Sequence, residues 1–367
     1  MVIKVVHITT AHARGEVRVF LKECLSLSNY YEMHLIVADG LGDATVRNVW
    51  IHDAGIARGR FQRMLVLPWR ILVLTLRVRA RLYHLHEPEL LLIALFLRLT
   101  GARVVYDSHE DVPRAIMSRD WIRPSLRRLV SAVFEKCENF VARRISAVIG
   151  ATPHIAKRFS SVNKRSVAIN NYPLTSEMAS SIVISGNERT VCYIGGISRN
   201  RGIFEMVRAL EFVDARLILA GPFDAGDLQS EVRMLPGWAR VDYRGVVSRE
   251  EVVRILAQSQ AGLLLFHPEP NHIDAQPNKM FEYMGAGLPV IASNFPLWRQ
   301  IIVGAQCGVL VDPLNAEAIA DAIRWMLEHS DKIEAMGERG RKAVEETYNW
   351  KHEEIKLIAL YEQLLPS

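Results

Sequence analysis

The stretch AQPNKMFEYMGAGLPVIAS, residues 275–293, predicts a short helix that leads into a buried strand. Pro277 suits the first turn of a helix, and the segment Gly285 to Gly287 ends that helix before the apolar run. Free N–H groups at such a helix start attract a pyrophosphate, and Lys279 adds a full positive charge. Glu282 lies one turn later on the same face, where its carboxylate can accept hydrogen bonds from two ribose hydroxyls. The stretch therefore predicts a nucleotide site; the alternative is a surface ion pair between Lys279 and Glu282.

Outward from this stretch, short β-branched runs alternate with longer helical patterns. This alternation is typical of repeated βαβ units, whose parallel sheet is covered by helices on both faces. The first series predicts strands near 2–10, 34–38, 82–86, 103–107 and 147–150, with helices near 16–29, 65–80 and 124–144. The second series predicts strands near 190–195, 215–220, 240–243, 261–266, 289–293 and 308–311. The predicted fold class is α/β, with two doubly wound sheets.

A turn-rich segment separates the two series and sets the predicted domain boundaries. We expect a first Rossmann-like domain over 1–172, a linker over 173–189 and a second Rossmann-like domain over 190–345, with a last helix, 346–367, that crosses back to the first domain. Ligands of open α/β sheets bind beyond the carboxyl ends of the strands. Residues that directly follow strands are therefore the candidates for chemistry, and two facing domains would place them at a shared cleft.

Composition excludes several classes of protein. Of the 367 residues, 50% are hydrophobic and 23% are charged, which excludes a disordered, collagenous or coiled-coil chain. The four cysteines lie far apart, so that no pair has the spacing of a zinc knuckle or a redox dithiol, and we expect a reducing compartment. The first ten residues contain Lys4 and His7 and predict a strand instead of a signal peptide. No apolar run reaches the roughly 18 residues of a membrane-spanning helix, and we expect a cytoplasmic protein.

The two halves of the chain carry opposite charge. Residues 1–172 hold 26 Lys and Arg against 14 Asp and Glu, whereas the remainder holds 19 against 26. A nucleic-acid partner is not expected, because the arginines are interleaved with aliphatic residues and no nucleic-acid motif accompanies them. Arg63, Arg70 and Arg77 recur every seven residues around Trp69, which predicts peripheral contact with the inner face of an anionic membrane. The alternative is a sheet-covering helix with solvated arginines.

Residues 275–293 resemble the signature of family 4 glycosyltransferases with the GT-B fold, in which two acidic residues eight positions apart precede a Gly-x-Pro-Val strand. Here the second acid is Glu282 and the first falls on Asp274, with Glu269 in the same loop as a competing candidate. Further segments resemble the family in the same order along the chain, namely HARGEVRVFLKE (12–23), YHLHEP (83–88), YDSHED (106–111) and YNW (348–350). The resemblance covers nearly the whole length and implies two Rossmann-like domains that face each other across a cleft.

The resemblance implies a retaining transferase that takes a sugar from a UDP- or GDP-linked donor without a bound metal or another cofactor. It implies that Glu282 binds the ribose and that His109 lies beside the donor sugar; the alternative for His109 is a structural histidine among acidic neighbours. The helix start, including Asn278 and Met280, would hold the diphosphate together with Lys279.

The expected phosphate site departs from the family pattern at one position. The family has an arginine directly after the first strand of the second domain and a lysine about five residues later. Here Gly196 stands in place of the arginine and Arg201 in place of the lysine. Arg201 can bind phosphate oxygens through its forked donors, and Arg199 can supply the missing charge; the alternative is a Gly-Gly turn with two solvated arginines. The predicted catalytic set is His109, Arg201, Lys279 and Asp274.

We expect the acceptor to be a hydroxyl of a glycan or polyprenyl-linked glycan in surface-polysaccharide assembly. Two alternatives remain open. A sugar-nucleotide epimerase of the same fold would use Asp107, His109 and Glu110 as acid and base groups. A non-catalytic sugar-nucleotide binder is the other alternative, because Gly196 and Asp274 depart from the family pattern.

Overall fold

The computed structural model describes residues 2–57, 59, 62–119, 121–174, 189–224 and 226–366, with the backbone alone at 63 and 64. The chain divides into two compact units. The first unit comprises Met1–Asn171 and Trp350–Ser367, and the second unit comprises Tyr172–Asn349. Most of the predicted linker, 175–188, lies outside the described residues. The chain therefore leaves the first unit after Asn171 and returns to it at Trp350.

The first unit contains an eight-stranded sheet. Its strands are β1 (Lys4–Ile8), β2 (Glu32–Val37), β3 (Ala44–Val46), β4 (Val49–Asp53), β5 (Leu82–Leu85), β6 (Arg103–Ser108), β7 (Ala147–Gly150) and β8 (Ser166–Ala168). Their order is β3-β4-β2-β1-β5-β6-β7-β8, and all pairs are parallel except β3 with β4. Strands β3, β4 and β8 were absent from the sequence prediction, because they are short and only partly buried and so lack a continuous apolar run.

Helices cover this sheet. A π-helical segment, Val17–Cys24, continues into α1 (Leu25–Leu27), and a second one, Gln62–Val66, leads into α2 (Leu67–Val78). The others are α3 (Leu91–Leu99), which follows a 3-10 turn at Pro88–Leu90, α4 (Val112–Met117), α5 (Pro124–Ala142) and α6 (Pro153–Ser160). Among the described residues no helix combines the length and the apolar character that crossing a bilayer requires.

The second unit contains a six-stranded parallel sheet of order β11-β10-β9-β12-β13-β14. Its strands are β9 (Thr190–Ile194), β10 (Arg216–Ala220), β11 (Val241–Gly245), β12 (Ala261–Leu264), β13 (Val290–Ser293) and β14 (Gly308–Val311). Its helices are α7 (Ile203–Ala209), α8 (Leu228–Arg233), α9 (Arg249–Gln258), α10 (Asn278–Gly285), α11 (Pro296–Ile302), α12 (Ala316–Glu328) and α13 (Ser330–Glu346). Short 3-10 turns lie at Arg199–Arg201 and Pro236–Arg240, and α14 (Trp350–Leu364) belongs to the first unit.

The central strand β9 shows why this sheet is buried on both faces. Successive side chains of a strand point to opposite faces. Tyr193 packs in one apolar cluster with residues of α7 and α12, whereas Cys192 packs in another with residues of α9, α10 and α11. Helices on both faces are the arrangement of a doubly wound sheet, so the predicted α/β class of two Rossmann-like sheets is confirmed.

Candidate functional site

Two loops of the second unit begin at the same edge of its sheet. Strand β9 ends at Ile194 and continues into a Gly195-Gly196 turn, and the neighbouring parallel strand β12 ends at Leu264. The loop after β12 leads into α10. Because the carboxyl ends of neighbouring parallel strands meet at one edge, both loops present their side chains to the same region.

The glycines of this turn leave room for two cationic side chains. A Cβ on Gly195 would lie 2.5 Å from Nζ of Lys279, and a Cβ on Gly196 would lie 2.6 Å from Nη1 of Arg201. Gly195 has φ +133°, a conformation that side-chain-bearing residues rarely adopt. Arg201 donates a hydrogen bond from Nη1 to the Gly196 carbonyl at 2.9 Å. The structure therefore brings Gly196, Arg201 and Lys279 of the predicted site together.

Tyr193 holds Lys279 in this position. The Lys279 ammonium donates to the Tyr193 hydroxyl at 2.9 Å and lies 4.2 Å from the centre of its ring. The Tyr193 hydroxyl in turn donates to the Gly196 carbonyl at 2.7 Å. Burial, with added repulsion from Arg201, lowers the pKa of Lys279 to about 7. The negative charge of Glu282 acts in the opposite direction but does not outweigh these two effects. Because two cations repel each other here, an anion bound between them would be stabilised by both.

Polar contacts fix the loop between β12 and α10. The His267 amide donates to the Asn200 carbonyl at 2.8 Å, and the His267 imidazole lies 3.0 Å from Glu205. The Trp298 indole donates to the loop carbonyl at 275 at 2.7 Å. Glu269 and Asp274 are both half-buried in this loop, so the structure retains both as candidates for the first acidic position.

Glu282 is exposed on α10, one turn after Lys279, and its charge acts on that ammonium. Asn278 is the first residue of α10 and is also exposed. These two side chains are therefore accessible to a ligand beside the Lys279 cation.

Two predicted ligand contacts lie elsewhere. The Met280 side chain is fully buried in the core, and its amide donates to the Pro277 carbonyl at 3.0 Å, so this residue packs α10 against the sheet. The Arg199 guanidinium donates to Glu231 of α8 at 2.5 Å and lies 4.3 Å from the Phe204 ring. The structure therefore places Arg199 in a surface ion pair.

In the first unit, His109 follows β6 and is held by Asp107. The His109 Nε2 lies 3.0 Å from an Asp107 oxygen. Arg18 donates two further hydrogen bonds to the same carboxylate, at 2.9 and 3.0 Å. Burial alone would raise the pKa of Asp107, but Arg18 and His109 outweigh burial and hold this pKa well below its usual range. An ionised Asp107 accepts only, so the His109 Nε2 carries the proton and Nδ1 is the atom left for a ligand.

A buried chain of hydrogen bonds connects α14 with this carboxylate. The Tyr361 hydroxyl lies 2.8 Å from His84 Nδ1 and 3.0 Å from His7 Nε2. The His7 Nδ1 lies 2.9 Å from His86 Nε2. The remaining nitrogen of His86 lies 3.5 Å from Asp107 and 3.2 Å from the His109 Nε2. The chain therefore runs from the last helix to the residues that follow β5 and β6.

The protonation states in this chain follow from burial. Burial lowers the pKa of His7 and His84 well below the usual value, and that of His86 to about 4. Each of these neutral imidazoles has one donor and one acceptor nitrogen. All hydrogen bonds in the series must therefore donate in the same direction along it. The negative Asp107 favours the direction in which every N–H and O–H points towards it.

Two groups in this region bring together atoms that can coordinate a cation, namely His7, Glu23, His84 and His86, and His86, Asp107 and His109. Arg18 Nε lies 3.2 Å from Glu23 and 3.0 Å from Asp107, so a buried guanidinium already supplies the positive charge that both carboxylates face. Burial and the Asp107 charge raise the pKa of Glu23 well above its usual value, which leaves one ionised carboxylate for one arginine. We therefore assign this cluster to hydrogen bonding.

Glu87 after β5 holds the loop after β1. Its carboxylate accepts from the Thr9 hydroxyl at 2.5 Å and from the Thr10 amide at 2.9 Å, and His12 lies 3.7 Å away. Burial raises the pKa of Glu87 to about 7 despite these donors. The His12 and His109 rings lie 5.2 Å apart, so the loops after β1, β5 and β6 meet at one edge of the first sheet.

Sequence reasoning missed Tyr193, Tyr361 and Arg18 as site-supporting residues. Tyr193 is the only one with a local signal, an aromatic residue at the end of a buried strand directly before a Gly-Gly turn. Arg18 and Tyr361 lie in helical segments whose partners are distant in sequence, so no local pattern marks them.

Two family models match the chain. The model described as "Glycosyl transferase 4-like domain" matches residues 5–168, and the model described as "Glycosyl transferases group 1" matches residues 175–343. Together they cover most of both units.

A curated relative and two solved structures are similar to the chain. The GDP-mannose:cellobiosyl-diphosphopolyprenol alpha-mannosyltransferase of Xanthomonas oryzae is 27% identical over 172 residues, 45% of this chain and 44% of the relative. Sucrose-phosphate synthase from Thermosynechococcus elongatus superposes with a TM-score of 0.81 at 17% identity, over 99% of both chains. Anabaena HepE in complex with UDP-glucose superposes with a TM-score of 0.75 at 14% identity, over 98% of this chain and 99% of HepE. The first curated relatives match over about half of their own length or less, and the two structures show the GT-B fold alone.

Proposed function

The chain belongs to the group 1 glycosyltransferases, and we propose that it moves a sugar from a UDP- or GDP-linked donor to a hydroxyl of a glycan or lipid-linked glycan. The transfer would retain the anomeric configuration and need no bound metal, in surface-polysaccharide biosynthesis. The observation that carries this proposal is the convergence of Lys279 and Arg201 on the Gly195-Gly196 turn.

The donor diphosphate is the group that best fits this convergence. Lys279 and Arg201 offer two cationic donors at one turn, because the two glycines leave the space that these side chains occupy. The start of α10 adds the partial positive charge of a helix N-terminus. Glu282 lies one turn further along α10, which supports its assignment to the ribose hydroxyls.

These cations also fit the chemical step. When the sugar–phosphate bond breaks, negative charge grows on the departing diphosphate, and cations already in place stabilise that charge without reorganisation. We assign this task to Arg201 and Lys279. His109 is our candidate for contact with the donor sugar, since Asp107 holds its Nε2 and leaves Nδ1 as the ring nitrogen that can reach a ligand. Asp274 and Glu269 remain candidates for the first acidic position.

The contacts of Asp107 with Arg18 disfavour an epimerase. Acid–base chemistry at the sugar needs a carboxylate that can reach the substrate. The Asp107 side chain is fully buried and receives two hydrogen bonds from Arg18, so it is committed to the protein. We therefore retain His109 and Glu110 alone from the set that an epimerase would use.

The names of the comparison proteins support the proposed substrate classes. The Xanthomonas relative is named for GDP-mannose and a diphosphopolyprenol acceptor, and the HepE structure holds UDP-glucose. We propose the same classes here, a nucleoside-diphosphate sugar and an acceptor carried on a lipid.

Helix α2 supports contact with an anionic membrane. It buries Leu67 and Ile71 against the sheet, while Trp69, Val73 and Leu76 are exposed. Arg70 and Arg77 are also exposed, whereas the Arg63 side chain lies outside the described residues. An apolar face with a Trp and flanking arginines suits the interface of a bilayer. Flotation with phosphatidylglycerol vesicles at low salt would detect this contact, and Trp69→Ala should weaken it.

The transferase proposal is tested by ligand binding followed by turnover. A nucleoside diphosphate at about 100 times its dissociation constant should stabilise the protein by about 2.7 kcal/mol, which a thermal-shift panel of UDP, GDP, ADP and CDP would detect. Arg201→Ala and Lys279→Ala should each cost about 2 to 4 kcal/mol of transition-state stabilisation in donor turnover, while Arg199→Ala serves as the matched control. Near-normal turnover of both site variants would refute the assignment.

Two other results would select the alternatives. Interconversion of the donor sugar without an acceptor would identify an epimerase. Tight donor binding without hydrolysis or transfer, across a panel of lipid-linked acceptors, would identify a binder.

A further inference from the structure

A cavity of about 800 Å³ lies at the edge of the first sheet opposite His109, where β5 and β6 begin. Its lining comes from the end of α2, the end of α3, the two strand starts and the last residues of the chain. The lining residues are Leu76, Arg79, Ala80, Arg81, Tyr83, Arg98, Thr100, Gly101, Ala102, Arg103, Leu364, Leu365 and Pro366. Four of them are arginines and none is acidic, so the cavity wall has a strong net positive charge.

Three of these arginines have no counter-charge among the residues that the structure describes. The side chains of Arg79, Arg81 and Arg103 are exposed and make no ion pair or hydrogen bond with any residue that the structure describes. Arg98 uses its guanidinium to bond the carbonyls at 144 and 102, at 3.1 and 2.7 Å. Like charges around one cavity repel each other, and an anionic ligand removes that repulsion.

The backbone that carries these arginines is held in place. Arg81 donates its amide to the Lys4 carbonyl at 3.1 Å, and Arg103 donates its amide to the Arg81 carbonyl at 2.9 Å. The Tyr83 hydroxyl accepts from the Ala80 amide at 2.9 Å, between the two arginines of the turn. The backbone positions from which the three arginine side chains extend are therefore set before any ligand arrives.

Arg79 adds a second, independent sign. It ends α2 in the left-handed conformation, with φ 54° and ψ 58°, where glycine is the usual residue. Glycine would carry no side chain, so the arginine at this position places a guanidinium at the cavity wall. At this position that side chain points to the cavity, which it lines.

We propose that this cavity binds a phosphate-ester group through Arg79, Arg81 and Arg103. Guanidinium forks match the oxygens of a phosphate, and a cavity of this volume accommodates a small organic phosphate or a lipid headgroup. The site lies at the amino-terminal ends of the strands, so it is separate from the proposed transfer site and does not depend on it.

Site-resolved arginine labelling tests this proposal in the full chain. Phenylglyoxal reacts with free guanidinium groups, and peptide mass spectrometry reads each arginine separately. With inorganic pyrophosphate at about ten times its dissociation constant, labelling of Arg79, Arg81 and Arg103 should slow about tenfold, since only the free fraction reacts. Arg47 is the internal control, because it is exposed in the β3–β4 turn, also has a left-handed φ of 46°, and does not line the cavity.

A second set of labelling experiments, with lipid vesicles in place of pyrophosphate, distinguishes a soluble phosphate ester from a lipid headgroup. Protection by pyrophosphate but not by vesicles supports a soluble phosphate ester. Protection by phosphatidylglycerol but not phosphatidylcholine vesicles supports a lipid headgroup if it persists in Trp69→Ala, which weakens the proposed membrane contact of α2. In Arg81→Gln with Arg103→Gln, protection of Arg79 should be lost, whereas Arg47→Gln should preserve it. The proposal would be overturned if neither probe slowed the labelling of Arg79, Arg81 and Arg103, or if labelling of Arg47 slowed equally.

Discussion

The Lys279 ammonium donates a hydrogen bond to the Tyr193 hydroxyl, which itself donates to the carbonyl of Gly196. A residue of α10 is thereby tied to Tyr193 in β9, 86 positions earlier in the chain. Because the ammonium is buried beside Arg201, its pKa falls to about 7. The proposed phosphate site therefore contains a cation whose charge changes near neutral pH.

Binding of UDP should depend on pH through Lys279. The protonated ammonium is the form that attracts a diphosphate, so affinity should fall as pH rises above about 7, by at most about tenfold per unit. In Lys279→Arg this fall should vanish, because arginine keeps its proton. Calorimetric titrations between pH 6.5 and 9 would measure both proteins. Equal pH profiles of the two would contradict the role of Lys279.

The ligand-free protein should show the opposite pH trend in stability. The pKa of Lys279 is about 7 in the folded protein, against 10.5 for an ordinary lysine side chain. Between these values the unfolded chain binds more protons, so the free energy of unfolding should rise with pH through this group. The difference between wild type and Lys279→Met in thermal melts at pH 7 and pH 9.5 isolates this contribution.

Gly195→Ala should damage the proposed donor site. The added Cβ would lie 2.5 Å from the Lys279 Nζ at a φ of +133°, so the ammonium must move away from Tyr193. We expect UDP binding at least about tenfold weaker, a loss of about 1.4 kcal/mol. Gly226→Ala is the matched control, since it also has a positive φ, +106°, but among the described residues beyond its chain neighbours no atom lies within 4 Å of its added Cβ. Equal UDP affinities in the two variants would rule out the steric explanation.

Tyr361→Phe should destabilise the first unit. Loss of the hydroxyl leaves His7 Nε2 and His84 Nδ1 buried without a partner, and each such group costs about 1 to 3 kcal/mol. Tyr31→Phe is the control, because Tyr31 packs its ring 5.8 Å from the Tyr361 ring and is partly exposed. Denaturant unfolding would compare the two variants, and equal midpoints would show that the hydrogen-bond chain adds no stability.

Asp107→Asn should lower the free energy of unfolding more than Asp39→Asn, the matched change in a more accessible ion pair. Asp107 pairs with Arg18 through two hydrogen bonds in a fully buried position, where breaking an ion pair costs up to about 3 to 5 kcal/mol. Glu23 lies 3.2 Å from Arg18 and can offset part of this loss by ionising once the Asp107 charge is gone. Asp39 makes the same two-bond contact with Arg14, but that pair is partly exposed. Asp39→Asn should therefore cost under about 1 kcal/mol. The ranking would fail if thermal melts gave the two variants the same loss.

The sequence predicted what local patterns encode. Central strands such as β1 and β9 are apolar runs, and α10 starts where Pro277 and Lys279 indicated. The edge strands β3 and β8 were missed, because a strand with one neighbour and little burial needs no apolar run. The same limit applies to helix faces: the pattern around Lys279 did not show that Met280 faces the core.

The supporting residues of the site could not be predicted, because they depend on sheet order. Arg18 meets Asp107 across 89 positions, and Tyr361 meets His7 across 354. Such contacts are created when β1, β5 and β6 become neighbours, and no local signal records that arrangement. The ion pair of Arg199 with Glu231, 32 positions later, could not be predicted for the same reason.

The return of α14 to the first unit has a consequence for synthesis of the protein. The ribosome releases residues 350–366 after the whole second unit has emerged, yet Tyr361 is a fully buried part of the first unit. Until then, His7 and His84 lack the hydroxyl that joins them. The amino-terminal half therefore waits for the last helix before its interior is complete, while residues 172–349 contain all of their own sheet and can mature first.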